Sequence, residues 1–131
     1  MIVVDASAIV EMLLHTVAGV RITPYVQTTT STVHSPHLLD AEVAHVVRRY
    51  TLAEDIDTER GAEMMSILRD LIIHRHDHRP LLGRVWELRH SVGAYDALYV
   101  ALAETLDAPL LTADSRLATA HGHRADVQVI G

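Results

Sequence analysis

Ile2-Val3-Val4-Asp5-Ala6-Ser7-Ala8-Ile9-Val10 opens the chain with a short apolar run, mostly β-branched, then one acid, then a stretch with helical spacing. The pattern returns near the other end as Pro109-Leu110-Leu111-Thr112-Ala113-Asp114-Ser115. A short apolar run without polar alternation suits a strand buried on both faces of a parallel sheet. An acid just beyond such a strand lies at its C-terminal end, the edge where open parallel sheets bind ligands. Each acid also reads singly as the N-cap of the helix that follows it. Two of them at the same edge are candidates for one site.

Working outward, Ser7 to Leu14 reads as a helix and Val17 to Val26 as a second, interrupted by Pro24. The threonine-rich stretch Thr28 to Ser35 reads as a loop. Leu38, Leu39, Val43, Val46 and Val47 recur at helical spacing, with Arg48 and Arg49 in the last turns, where cations suit the helix dipole. Thr58 to Leu71 is predicted as a helix with Asp57 as its N-cap, followed by an extended segment near Ile72 to His74. Leu81 to Arg89 is a brief helix with Trp86 as its core anchor. Tyr95 to Leu106 is apolar nearly all round, as in a helix buried within a domain. Ser115 to His121 is predicted as helical, and Val127 to Ile130 as a last strand. Strands alternating with helices and no tight hairpin indicate an α/β fold, a central and mainly parallel sheet flanked by helices. At 131 residues, residues 1–131 form one domain.

Composition narrows the chemistry. Cysteine, lysine, asparagine and phenylalanine are absent. Disulfides and thiolate metal sites are thereby excluded, as is a P-loop lysine; every fixed cation is an arginine. No apolar stretch approaches the roughly 20 residues needed to cross a bilayer, and the start does not fit a signal peptide. The expectation is a cytoplasmic protein with no membrane partner. A net charge of −6 argues against extensive nonspecific binding to nucleic acid, but acids gathered around cations would account for part of it.

Two further acids stand out. Glu42 lies one turn after Leu38 and one turn before Val46, on a stripe of apolar residues. Asp96 is the only acid before Glu104 in Tyr95-Asp96-Ala97-Leu98-Tyr99-Val100-Ala101-Leu102-Ala103. Carboxylates among apolar residues must be paired, protonated or bound to a cation. An oxygen-only donor set suits Mg²⁺ or Mn²⁺, ions that serve phosphodiester displacement.

In order and spacing, Val3-Val4-Asp5-Ala6-Ser7, then Glu42 in Pro36-His37-Leu38-Leu39-Asp40-Ala41-Glu42-Val43, then Tyr95 to Ala103, then Leu111-Thr112-Ala113-Asp114 resemble the PIN-domain ribonucleases of the VapC toxin family. The resemblance covers essentially the whole chain. It implies a PIN-domain fold and an endoribonuclease in which Asp5, Glu42, Asp96 and Asp114 are catalytic and bind Mg²⁺, with Mn²⁺ as a substitute. Ser7 matches the hydroxyl residue that supports the first acid. The resemblance also implies an RNA substrate, a VapB-type antitoxin, a homodimer and a toxin–antitoxin hetero-oligomer. Some PIN domains carry another acid two residues after the fourth. Arg116 stands there instead, pointing away from a fully occupied second metal site and offering a phosphate contact.

Rival readings are weaker. The tract His74-Arg75-His76-Asp77-His78-Arg79 offers alternating imidazoles but no third zinc ligand at a recognised spacing, and reads as a solvated loop. A receiver-like or phosphatase-like domain would need a lysine. The remaining alternative is a catalytically silent PIN-like module acting through protein–protein contacts, against which the intact quartet of acids argues.

Overall fold

The computed structural model describes all residues from Met1 to Gly131. Five short strands form one sheet: β1 (Ile2–Val4), β2 (Val33–Pro36), β3 (His74–His76), β4 (Leu110–Thr112) and β5 (Val127–Val129). Their spatial order is β3-β2-β1-β4-β5, and every neighbouring pair is parallel. The chain therefore builds from β1 outward through β2 to β3, then crosses back and places β4 on the other side of β1. Seven helices make the connections: α1 (Ala6–Leu14), α2 (Val17–Val26), α3 (Leu38–Leu52), α4 (Thr58–Asp70), α5 (Leu82–Glu87), α6 (Ala94–Leu106) and α7 (Ser115–Ala118). A 3₁₀ turn at Arg79–Leu81 leads into α5. Because parallel crossovers are right-handed, reversing direction after β3 puts α1–α4 on one face and α5–α7 on the other. Contacts agree, with α1, α3 and α4 packed together and α6 packed on α5 and on β1, β2 and β4.

The core is one cluster of 32 buried apolar residues, from Val3 and Val4 through Val100 and Leu102 to Leu110 and Leu111. Burying each large aliphatic side chain contributes about 1.5–3 kcal/mol, which is why the central strands need no alternation. Helices α1 and α2 turn back on each other at 112°. A Cβ on Gly19 would stand 2.0 Å from the carbonyl oxygen of Glu11, so only glycine permits that approach. Pro24 falls in the last turn of α2, where its missing N–H costs one helical bond. No single helix is long and apolar enough to cross a membrane.

Three expectations are corrected. Val33–Pro36, read mostly as loop, is the buried strand β2. Its polar groups are all satisfied inside the sheet: the Ser35 hydroxyl donates to the Val4 carbonyl at 3.0 Å, and His34 bridges Thr32 and His76, each at 2.8 Å. The histidine tract is not a solvated loop but the edge strand β3 and the turn after it. Arg75 forks onto Asp40 through Nε and Nη2 at 2.7 and 2.9 Å, and His78 Nε2 accepts the Leu38 N–H at the start of α3. Trp86 is 67% exposed, and Leu88, 1% exposed, is the buried anchor instead. The Arg89 guanidinium lies 4.4 Å from the Trp86 ring centroid.

Candidate active site

With β2 on one side of β1 and β4 on the other, the strand order reverses between β1 and β4, and the crevice beyond their C-terminal ends is where such sheets bind ligands. Asp5 leaves β1 and Asp114 leaves the end of β4 at that crevice. The reversal also turns the N-termini of α1, α3, α6 and α7 toward it. Asp5 caps α1, Asp114 caps α7, Asp96 is in the first turn of α6, and Glu42 follows the first turn of α3. The partial positive charge of helix N-termini offsets part of the repulsion among the acids.

All four acids line one cleft of about 750 Å³, together with Ser7, Tyr95, Tyr99, His45, Arg49 and Arg116. The stripe of α3 that carries Glu42 is the wall of this cleft rather than the core: Leu38, Ala41, His45, Val46 and Arg49 share it, whereas Leu39, Val43 and Val47 face the interior. Arg49 therefore reaches the cleft, and Arg48 does not line it.

Asp5 is buried and accepts three hydrogen bonds. Its Oδ1 receives the Ser7 hydroxyl at 2.6 Å and the Ala8 N–H at 3.0 Å, and its Oδ2 receives the Thr112 hydroxyl. Ser7 in turn accepts the Ala113 N–H at 2.9 Å, and Thr112 accepts the Asp114 N–H at 3.0 Å. One hydroxyl network thus ties the ends of β1 and β4 together. Burial pushes the Asp5 carboxyl above its ordinary range against the pull of these donors. Asp96 opens to solvent along the cleft, yet desolvation and then the charge of Asp114 push it up as well. Asp114 behaves oppositely. The Arg116 guanidinium donates to both its oxygens, at 3.1 and 2.8 Å, and holds it below the usual carboxylate range.

Glu42 takes a short hydrogen bond, 2.6 Å, from the Tyr99 hydroxyl. Sequence reasoning gave no role to Tyr99 or to Thr112. The available signals were a tyrosine one turn beyond Asp96 and a hydroxyl at the end of an apolar strand. No three carboxylates converge on a single ion-sized point, because Asp5, Glu42 and Asp114 are each drawn to their own partners. The donor set nevertheless fits a hard divalent cation: four carboxylates line one cleft, and oxygen donors suit such ions.

The PIN domain family profile matches residues 2–122. Ribonuclease VapC12 of Mycobacterium tuberculosis is 37% identical over 130 residues, 99% of both chains, and Ribonuclease VapC1 of the same organism is 49% identical over 98 residues, 74% of each. The chain belongs to the PIN-domain family of VapC ribonucleases. Among solved structures, VapBC2 from Rickettsia felis, bound to a DNA fragment from its promoter, superposes with a TM-score of 0.70 at 15% identity, covering 97% of this chain and 98% of that one. Mycobacterium tuberculosis VapC20, a sarcin-ricin loop cleaving toxin, gives 0.65 at 13% identity, covering 90% and 93%. These two likenesses concern the fold alone.

Proposed function

We propose that this VapC-family ribonuclease is the toxin of a toxin–antitoxin pair, an endoribonuclease that hydrolyses RNA phosphodiester bonds with Mg²⁺ or Mn²⁺ held by Asp5, Glu42, Asp96 and Asp114. The observation that carries the reading is that four acids from four separate elements line one cleft, at the crevice where the strand order reverses. Repulsion among carboxylates so placed favours the binding of hard cations. Such a cation, once bound, activates water and neutralises the charge that develops on a leaving oxygen.

The chain's own groups account for the rest. Ser7 and Thr112 fix both oxygens of Asp5. Arg116, held on Asp114 by an exposed ion pair, exchanges that partner for an RNA phosphate, and Arg49 offers a second phosphate contact from the α3 wall. Exposed ion pairs contribute little to stability, so the exchange costs little. The same acids and apolar walls suit an antitoxin segment that places a basic side chain in the cleft, and the apolar face of α2, with Val17 and Val20 exposed, suits assembly into a homodimer and a toxin–antitoxin complex.

The test is cleavage of RNA by the purified protein with Mg²⁺ or Mn²⁺ and with excess chelator. Cleavage should stop in chelator, and Asp5→Asn and Asp96→Asn should each lose it while remaining folded. Undiminished cleavage in chelator, or by both variants, would refute the metal site.

A further inference from the structure

One acid of the cleft is aimed by a residue on a different helix. We propose that Tyr99 is a positioning residue for the reaction: its hydroxyl, carried on α6, fixes the Glu42 carboxylate on α3 so that a chosen oxygen faces the cleft. The inference rests on Glu42 being a ligand, as proposed above, and goes beyond it by assigning what sets that ligand's orientation.

The two side chains differ in freedom. Glu42 has three side-chain torsions and sits half-buried on the cleft wall. Tyr99 is 1% exposed, its ring clamped by the core on a helix buried from Ala97 to Ala103. A hydrogen bond between them therefore constrains Glu42 much more than Tyr99. At 2.6 Å it lies in the range of a charge-assisted bond from a hydroxyl to an ionised carboxylate. A phenol carries its proton near neutral pH, so Tyr99 donates and the Glu42 carboxylate accepts. The carboxylate of Glu42, a residue lining the cleft, makes no other hydrogen bond: Oε1 accepts from Tyr99 and Oε2 has no partner in the protein.

Without that donor, Glu42 has places to go. His45 and Arg49 lie one and two turns farther along the same wall, within the sweep of a side chain with three free torsions. Tyr99 also stands one turn beyond Asp96, on the same side of α6. A single helix thereby carries one acid of the site and holds another, so both move with α6.

Groups that orient a metal's ligands typically alter metal affinity or activity by about 10–100-fold when removed. Tyr99→Phe removes one oxygen and leaves the ring. Mn²⁺ affinity of the protein alone, measured by titration calorimetry, should fall about 10-fold, and kcat for RNA should fall with it while KM is unchanged. Ser35→Ala removes a comparable buried hydroxyl, one that donates to the Val4 carbonyl outside the cleft, and should lower the melting temperature without changing Mn²⁺ affinity. In a Glu42→Gln background, Tyr99→Phe should have no further effect on Mn²⁺ affinity. If Tyr99→Phe binds Mn²⁺ as wild type does, or its effect persists undiminished in the Glu42→Gln background, Tyr99 is only a satisfied core hydroxyl and the proposal is overturned. If wild type itself binds no Mn²⁺, the metal reading fails first and takes this one with it.

Discussion

Asp5 is held in the metal-free protein as a carboxylate with three donors and little water. Its folded pKa is raised above the ordinary 3.8, so between 3.8 and the folded value the native state binds more protons than the unfolded chain. Stability from this group therefore falls as pH rises through that window, and the penalty is fully present above it. Asparagine fits the same space with its hydrogen bonds intact. Its carbonyl can keep the Ser7 and Ala8 donors, while Thr112 turns to accept the amide and to donate to the Ser7 oxygen 3.1 Å away. Asp5→Asn should accordingly raise the melting temperature of the chelator-treated protein at pH 7 by a few degrees. Near pH 3.5 the gain should vanish. Calorimetric scans at the two pH values would check this, and a variant less stable than wild type at pH 7 would mean that the hydroxyl network cannot rewire.

At the scale of elements, the edge of the sheet gathers imidazoles. His34 and His76 share a hydrogen bond between β2 and β3, and the His34 ring stacks on His74 with centroids 4.8 Å apart. Burial and then neighbouring imidazoles lower the pKa of His34 and of His76 below the ordinary 6.5. The unfolded chain takes up protons first, so stability is lost as pH falls below about 6.5. Hydrogen exchange, corrected for its intrinsic rate, should show β3 amides losing protection between pH 6.5 and 5 ahead of β1 and β4, and His76→Gln should blunt the loss. Simultaneous loss in all three strands would count against a local origin. The same strands show where sequence legibility ended. β1 and β4 were readable because their residues are apolar up to Thr112 at the end of β4, and the acids beyond them were readable by position. β2 was not, since Val33-His34-Ser35-Pro36 is buried with polar side chains whose partners, Val4 and His76, lie 31 and 42 residues away. Tyr99 was hidden for the same reason: a core tyrosine is evident in sequence, but its partner 57 residues distant is not. Trp86 misled because size alone suggested burial, while α5 presents no buried residue of its own.

The whole molecule carries a net charge of −6, and most of its arginines serve acids. Arg84 and Arg124 both hold the buried Glu104, Arg75 holds Asp40, and Arg79 holds Asp77. The cleft keeps Arg116 and Arg49, so RNA affinity should depend on few phosphates. Binding of a non-cleavable single-stranded RNA should show a shallow salt dependence. Arg116→Ala and Arg49→Ala should each reduce the slope by roughly 0.7, and Arg48→Ala should leave it unchanged; equal effects from all three would mean diffuse attraction rather than contacts in the cleft. The reversal of strand order has a temporal consequence too. β4 sits beside β1 but is made last but one among the strands, and one of the two hydroxyls that secure Asp5 comes from a residue 107 positions later. A nascent chain that has emerged only through β3 carries Asp5 and Glu42 but neither Asp96 nor Asp114, and β1 lacks a neighbour on one side. The four-acid cleft is complete only once the chain has emerged through β4 and Asp114, so a shorter nascent chain cannot assemble it.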